Sequence, residues 1–336
     1  MPLLSRGHRR VAWLVVALLT VASAKKHPVR PLTSQLLDAL PFRLVGPAAP
    51  AGRVWQVVGV PGQPKTLYVC TADGGVWKTT NYGTTLLPIF NDQAAASCGA
   101  VAVAPSDPQQ VWVGSGEPAS TRANSQGRGV FKSSDGGQTW HAAGLTATEE
   151  IGAVVIDPRD PQTVYVAALG HLWGKGPDRG VYKTSDGGAT WKQVLFVNDT
   201  TGFVDLQMDP SNPQVLYAAA WQRLRHGGGD MAESGPGSGI YKSTDGGATW
   251  SRLTNGLPVG DAGKITLAVA HHNPQLVYAA ILTGAPQPGG RTSNAGGVFR
   301  SADGGAHWER VSPLMTSSYY DRIAVDPNDD QRLWMP

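Results

Sequence analysis

A short motif, Ser/Thr-x-Asp-Gly-Gly-x-Thr/His-Trp, occurs four times in this chain and places the strongest limit on its fold. The copies span residues 133–140, 184–191, 243–250 and 301–308, and a decayed fifth copy spans residues 79–86. Their central Asp or Asn positions, 81, 135, 186, 245 and 303, are spaced by 54, 51, 59 and 58 residues. A regular period of this length indicates a chain of stacked structural units, each burying its apolar face against the next.

Each unit contains four short apolar stretches separated by turn residues. In the third unit these predicted strands span residues 151–156, 163–169, 180–184 and 191–196, and an Asp-Pro-x-x-Pro turn separates the first two. The chain also holds 42 Gly, 25 Pro and 11 Trp among its 336 residues, which suits many short strands joined by turns. The sequence therefore predicts an all-β fold, a β-propeller with about five and a half four-stranded blades over residues 41–336.

Turn chemistry accounts for every fixed residue of the motif. The Asp and Ser/Thr side chains can accept hydrogen bonds from backbone N–H groups, the two Gly residues can adopt positive φ, and the Trp can enter the core between blades. We therefore interpret the motif as structural and expect no metal or other cofactor. The residues assigned to this role are Asp135, Trp140, Asp186, Trp191, Asp245, Trp250, Asp303 and Trp308.

These motifs resemble Asp-box repeats, also called BNR repeats, which are known from sialidases, sortilin-type receptors and xyloglucanases. The stretches 124–140, 164–174 and 235–243 are further similar to large exported bacterial proteins with sortilin-like, VPS10-type propellers, which are often labelled glycosyl hydrolases. The resemblance covers about residues 41–336. It implies a β-propeller fold strongly and a particular activity only weakly.

The first 24 residues have the pattern of a secretory signal peptide. Arg6, Arg9 and Arg10 precede an apolar run over residues 11–21 and an Ala-Ser-Ala cleavage pattern. The apolar run is too short for a membrane anchor, since a span needs roughly 20 residues. Removal of the signal peptide would reduce the formal charge from +3 to zero. A neutral mature chain argues against a nucleic-acid partner. We expect a secreted, periplasmic or cell-envelope protein without a membrane span, with residues 25–40 as a linker.

Two further features leave alternatives open. Cys70 and Cys98 fall near one face of adjacent units, so they can form a disulfide, or they can be two small buried hydrophobic residues. The sixth unit stops at Pro336, inside its second strand. We expect the chain to be truncated there, with the remaining blades supplied by missing C-terminal sequence; a partner chain is the alternative.

Candidate binding residues lie in the connections from the second to the third strand of each blade, where the length variation is concentrated. Insertions on one face mark a binding surface, and aromatic and Arg side chains there suit a glycan or a protein or peptide ligand. The candidates are Arg122, Arg128, His171, Trp173, Arg179, Trp221 and Arg223.

Catalytic signatures are weak. Glycoside hydrolysis needs two carboxyl groups, and Asp73 and Glu117 are the candidates. The stretch around Asp73 is similar to the Thr-Asp-x-Gly-Gly stretch of the first xyloglucanase blade, which carries that family's catalytic base, but it is shifted by one residue. The resemblance also implies a partner acid from a second propeller, so Asp73 reads more simply as a turn residue.

Other catalytic patterns are incomplete or absent. Residues 42–45 match the sialidase Arg motif without its Pro, and the sequence contains no G-x-S-x-G, H-E-x-x-H or C-x-x-C. The leading hypothesis is therefore a binding or scaffold module that is not an enzyme. The alternative is a sialidase-like or xyloglucanase-like glycoside hydrolase.

Overall fold

Antiparallel β-sheets make up the secondary structure of the described residues. The computed structural model describes residues 52–119, 124–171, 173–225, 231–283, 295–313 and 322–335, and these ranges contain no helix. Five four-stranded sheets follow one another along the chain, and in each the strands pair in chain order as a meander. A two-stranded sheet follows them.

The strands of these sheets, here called blades, have the following bounds. Blade 1 contains β1 (Val54–Val60), β2 (Gln63–Thr71), β3 (Gly75–Thr79) and β4 (Leu87–Pro88), and blade 2 contains β5 (Cys98–Ala104), β6 (Asp107–Ser115), β7 (Val130–Ser133) and β8 (His141–Ala142). Blade 3 contains β9 (Glu150–Asp157), β10 (Asp160–Gly170), β11 (Gly180–Thr184) and β12 (Lys192–Leu195). Blade 4 contains β13 (Thr201–Met208), β14 (Leu216–Gln222) and, after a small hairpin of β15 (Leu224–Arg225) and β16 (Met231–Ala232), β17 (Gly239–Ser243) and β18 (Ser251–Leu253). Blade 5 contains β19 (Ala262–Val269), β20 (Val277–Thr283), β21 (Gly297–Ser301) and β22 (Glu309–Ser312), and the final pair is β23 (Ala324–Asp326) and β24 (Asp329–Trp334).

The prediction of four-stranded units is confirmed. The four strands expected in the third unit all occur, and the last begins at Lys192 because Trp191 belongs to the motif turn. The predicted signal peptide, the linker and the first residues of the propeller region, 41–51, lie outside the described residues. Over the stretch that the structure describes, the chain has no apolar helix of the length that crossing a bilayer would take.

The core lies between successive blades. Five apolar clusters each join the facing sides of two neighbouring sheets, as when Trp112 of blade 2 packs with Ile151 and Val166 of blade 3. The first strands of neighbouring blades also contact each other. Their backbones approach closely at Gly152, where a Cβ atom would collide with the carbonyl oxygen of Val204. Glycine is required there because any side chain would push the two blades apart.

Hydrogen bonds within the motif hold its turns. Asp135 accepts hydrogen bonds from the Thr139 N–H at 2.9 Å and from the Thr139 hydroxyl, while Gly137 is at positive φ. Trp140 is buried and donates to the carbonyl of Ile89 in the preceding blade at 2.7 Å. The turns therefore also join neighbouring blades.

The two cysteines form a disulfide. It links Cys70 of β2 to Cys98 of β5, with a Cα–Cα distance of 5.3 Å, and both residues are fully buried. Of the two alternatives left open by the sequence, the structure has the cross-link, and it joins blades 1 and 2.

Candidate functional site

One face of the propeller carries the polar groups that lie close together. We call it the loop face: it is formed by the connections from second to third strands and by those between blades. Contacts join the loops of four different blades, as when Ser125 of blade 2 donates to Asp73 of blade 1 and Arg223 of blade 4 pairs with Glu150 of blade 3. Residues distant in sequence are therefore brought into one site.

Asp73 lies in the tight turn between β2 and β3. The turn is held by the Thr71 hydroxyl, which accepts from the Gly74 N–H at 3.1 Å and donates to the Gly75 carbonyl at 3.0 Å. Gly75 adopts positive φ, which explains why a glycine follows. Asp73 is therefore a turn residue, as the sequence suggested, but its side chain is 40% exposed and points to a polar cluster.

Arg53 connects Asp73 to Glu117. Its guanidinium donates to Glu117 Oε1 at 2.7 Å from Nε, and its terminal nitrogen lies 2.6 Å from the same oxygen and 3.9 Å from Asp73 Oδ2. Because both carboxylates contact one nitrogen, they lie closer than the roughly 10 Å that limits the carboxyl separation in glycosidases. The sequence candidates Asp73 and Glu117 are thus brought together.

Glu117 differs from Asp73 in its environment. It is fully buried, and its Oε2 atom has no hydrogen-bond partner among the described residues. Burial raises the pKa of this carboxyl group, while the hydrogen bond from Arg53 opposes that rise. Glu117 therefore holds Arg53 in place, and its own side chain does not reach solvent.

A second ion pair lies beside this group. Arg223 pairs with Glu150 and donates to the Ala119 carbonyl at 2.9 Å, and both charged residues are buried. Burial lowers the pKa of Arg223 to about 10, and the nearby charge of Arg225 acts in the same direction. Asn124 donates to Glu150 Oε1 at 2.9 Å. This network ties blades 2, 3 and 4 together beneath the loop face.

Glu149, next to Glu150, remains accessible. It is half-buried and its Oε2 accepts from Gln126 Nε2 at 3.2 Å. Gln126 follows Ser125, which contacts Asp73. Among the carboxyl groups of this cluster, Glu117 and Glu150 are enclosed, whereas Asp73 and Glu149 reach solvent.

Three predicted binding residues are buried and contact other protein groups. Arg179 is buried and donates to the carbonyls of Leu169 and Gly174 at 2.6 and 3.0 Å. Trp221 is fully buried, and its indole N–H donates to the Glu233 carbonyl at 2.8 Å. Arg223 forms the ion pair with Glu150. All three lie at strand ends, where apolar strands enter the core.

The other predicted binding residues have different positions. The side chain of Trp173 is 47% exposed, and the guanidinium of Arg225 lies 5.2 Å from its ring centre. Arg128 is exposed. His171 contacts Asp178 Oδ1 at 2.7 Å. Arg122 lies outside the described residues. Sequence reasoning missed Arg53 and Ser125, because a lone Arg before a strand and a Ser in a loop carry no distinguishing pattern.

A cavity elsewhere in the described chain lacks this polar character. An apolar cavity of about 280 Å³ lies between blades 4 and 5, lined by residues such as Leu253, Leu257 and Ile265, and none of the carboxylates above borders it. Within the described ranges, no three His, Cys, Asp or Glu side chains are grouped to hold a metal ion.

Comparison with known proteins supports the propeller fold and finds relatives that are named xyloglucanases. Residues 128–259 match the family model "Sortilin, neurotensin receptor 3" of the sortilin-Vps10 type. The chain is 25% identical over 299 residues to a xyloglucanase from a Paenibacillus species, which covers 78% of this chain and 27% of that protein. It therefore spans about a quarter of the length of this relative.

Solved structures show the same architecture. An ancestral GH74 enzyme superposes with a TM-score of 0.62 at 22% identity, covering 84% of this chain and 34% of that one. The GH74 enzyme of Niastella koreensis superposes with a TM-score of 0.61 at 21% identity, covering 84% and 43%. The superpositions show a shared fold, and the curated relatives are named xyloglucanases, which are glycoside hydrolases, the class that the sequence placed second. The findings identify the chain as a β-propeller protein that resembles the sortilin-Vps10 propellers and the xyloglucanases.

Proposed function

We propose that this protein is a glycoside hydrolase that acts on a β-glucan of the xyloglucan type at its loop face. The observation that carries the proposal is the position of Asp73, an exposed carboxylate held by Arg53 and Ser125 beside a second group of carboxylates. The names of the curated relatives, which are xyloglucanases, supply the substrate class.

Asp73 is assigned the role of base. Glycosidic bond hydrolysis of the inverting type needs one carboxylate that takes a proton from water and one carboxyl group that gives a proton to the leaving oxygen. Ser125 donates to one oxygen of Asp73, and Arg53 lies near the other. These contacts orient the carboxylate, as the role of a base requires.

Glu149 is assigned the role of proton donor. Of the carboxyl groups in the cluster, it is the one besides Asp73 that reaches solvent, and Gln126 ties it to the loop that contacts Asp73. Glu117 is a positioning residue, because it is enclosed and holds the guanidinium of Arg53. Trp173, exposed on the same face over Arg225, offers a ring on which a sugar can stack.

The disulfide supports the inferred location of the protein. Cross-links of this kind persist in oxidising compartments, so the Cys70–Cys98 bond agrees with an exported protein. Export is part of the proposal, together with the predicted signal peptide, and a polymeric glycan outside the cytoplasm is then a reachable substrate.

The proposal is tested by measuring the reducing ends released from xyloglucan. We expect turnover by the wild type and a fall in kcat of about 10² or more for both Asp73→Asn and Glu149→Gln, the usual size of a general acid or base contribution. Asp199→Asn, which changes an exposed carboxylate of another loop, is the matched control and should keep wild-type activity.

Glu117→Gln separates positioning from chemistry. Releasing Arg53 should lower kcat less than Asp73→Asn does, because Asp73 keeps its carboxylate and only the position of its neighbouring guanidinium changes. Loss of the alkaline limb would instead make Glu117 the proton donor. Binding of xyloglucan without turnover would contradict the enzyme and support the binding-module hypothesis.

A further inference from the structure

Two cationic side chains flank one buried tryptophan near the centre of the loop face. Lys264 Nζ lies 5.2 Å and Arg322 Cζ 5.0 Å from the ring centre of Trp55. Trp55 is near the start of β1, Lys264 is near the start of β19, and Arg322 lies two residues before β23. The three residues therefore meet where the first strands of blades 1 and 5 and of the final two-stranded sheet begin.

Two hydrogen-bond donors at this place, on Trp55 and Thr266, have no acceptor among the described residues. Trp55 is only 9% exposed, and its indole N–H has no hydrogen-bond partner among the described residues. The hydroxyl of Thr266, on the same side of β19 as Lys264, is buried and also has none within that part of the chain. A buried polar group without a partner is costly, so its persistence points to a ligand that accepts these hydrogen bonds.

The acid beside this cluster is already engaged. Asp205 accepts the backbone N–H of Leu206 on one oxygen and that of Leu267 on the other, both at 2.8 Å. Arg322 donates one N–H to the Gly152 carbonyl at 2.9 Å. Burial lowers the pKa of Arg322 although Asp205 opposes the shift, which means that the guanidinium is poorly solvated. A second anion would stabilise it.

We propose that Trp55, Lys264, Thr266 and Arg322 form a binding site for the carboxylate of an acidic sugar, such as a uronic acid residue of a glycan. The choice of a sugar rests on the proposed function, because Arg53 of the Asp73 site lies two residues before Trp55. A glycan bound at Asp73 would thus bring a neighbouring acidic branch to the cation pair. The planar guanidinium suits a carboxylate, since it can donate two parallel hydrogen bonds to it.

The site predicts a preference for charged over neutral sugar. In calorimetric titration of the full chain, we expect methyl glucuronide to bind about tenfold or more tightly than methyl glucoside, the effect of one charge-assisted hydrogen bond. Arg322→Gln should abolish this preference, and Trp55→Phe, which removes the indole N–H and keeps an aromatic ring, should reduce it. Lys192→Gln and Arg159→Gln change exposed cations elsewhere and should leave it unchanged.

Three outcomes would overturn the proposal. The first is equal affinity for the two sugars. The second is an unchanged preference in an Arg322→Gln variant that keeps the thermal stability of the wild type. The third is equally tight binding of an N-acetylated amino acid, which would assign the site to peptide carboxylates. Hydrolysis of neutral xyloglucan serves as the independent measurement. This hydrolysis should persist in Arg322→Gln. If the wild type does not hydrolyse xyloglucan but still prefers the glucuronide, the proposed function fails and the carboxylate site remains.

Discussion

The Asp residues of the repeated motif act within their own turns. In blade 4, Asp245 accepts from the Thr249 N–H at 2.9 Å and from the hydroxyls of Thr249 and Ser243 at 2.6 and 2.8 Å. These donors favour the ionised form and lower the pKa of Asp245 to about 2, chiefly through the Thr249 hydroxyl. Asp186 has the same arrangement and a pKa of about 2. Among the described residues, the hydrogen-bond donors to these carboxylates come from the motif itself.

Replacing Asp245 by Asn should therefore destabilise the fold in a pH-dependent way. The folded pKa of about 2 lies below the unfolded value of about 3.9, so the carboxylate stabilises the fold fully above pH 4 and loses this effect as the pH falls towards 2. We expect the unfolding midpoints of wild type and Asp245→Asn to differ at pH 7 and to converge near pH 2. Asp199→Asn is the control, and a constant difference at all pH values would contradict the role of ionisation.

At the scale of strands and turns, each blade holds the motif turn of the next. Tyr217 on β14 donates its hydroxyl to the Gly304 carbonyl at 2.9 Å, and Lys242 on β17 donates to the same oxygen at 2.6 Å. Tyr68 with Lys78 and Tyr165 with Lys183 repeat this arrangement on the turns of blades 2 and 4. In blade 2, Trp112 replaces the tyrosine, and its indole N–H has no partner in the described ranges.

Tyr217→Phe tests this contact between blades. The change removes one buried hydrogen bond and little volume, so we expect a loss of about 1 kcal/mol in the free energy of unfolding. Tyr241→Phe, at a partly buried ring whose hydroxyl shows no hydrogen bond within the described residues, should cost less. Urea denaturation of both variants gives the comparison, and equal losses would show that the hydroxyl contact contributes nothing.

At the scale of the whole molecule, the site depends on how blades are joined. Asp73 belongs to blade 1, Ser125 and Glu117 belong to the loop of blade 2, and the disulfide links these two blades directly. Cys70 lies three residues before Asp73, and Cys98 follows Ser97, whose hydroxyl donates to the Gln126 carbonyl at 3.1 Å. The cross-link therefore holds together the two blades that carry the proposed base and the residues that orient it.

Removing the cross-link should lower stability substantially. The two cysteines are separated by 28 residues, and closing a loop of this size contributes about 2–4 kcal/mol in the chain-entropy description. We expect this loss for the double variant Cys70→Ala/Cys98→Ala, measured by guanidinium denaturation. Wild-type protein denatured under reducing conditions should unfold at a similar denaturant concentration, and an unchanged midpoint in the double variant would contradict the cross-link.

Much of the fold could be predicted from the sequence because its signals are local. The turn motif, the apolar strands around it and the period near 55 residues all act within one unit, and they were sufficient to predict four-stranded blades. The site was predicted less completely. Asp73 and Glu117 were named, but Trp221 and Arg179 were placed on the binding face although both are buried, since a loop sequence does not show which of its side chains turn inward.

The sequence by itself determined the repeating unit, its turns and the polar character of one face. Only the tertiary structure decided which residues meet there: Arg53 contacts Glu117 across 64 residues of sequence, and Arg223 contacts Ala119 across 104. The physical reason is that hydrogen bonds within a turn depend on neighbours in the chain, whereas the loop contacts depend on how several blades pack around one axis.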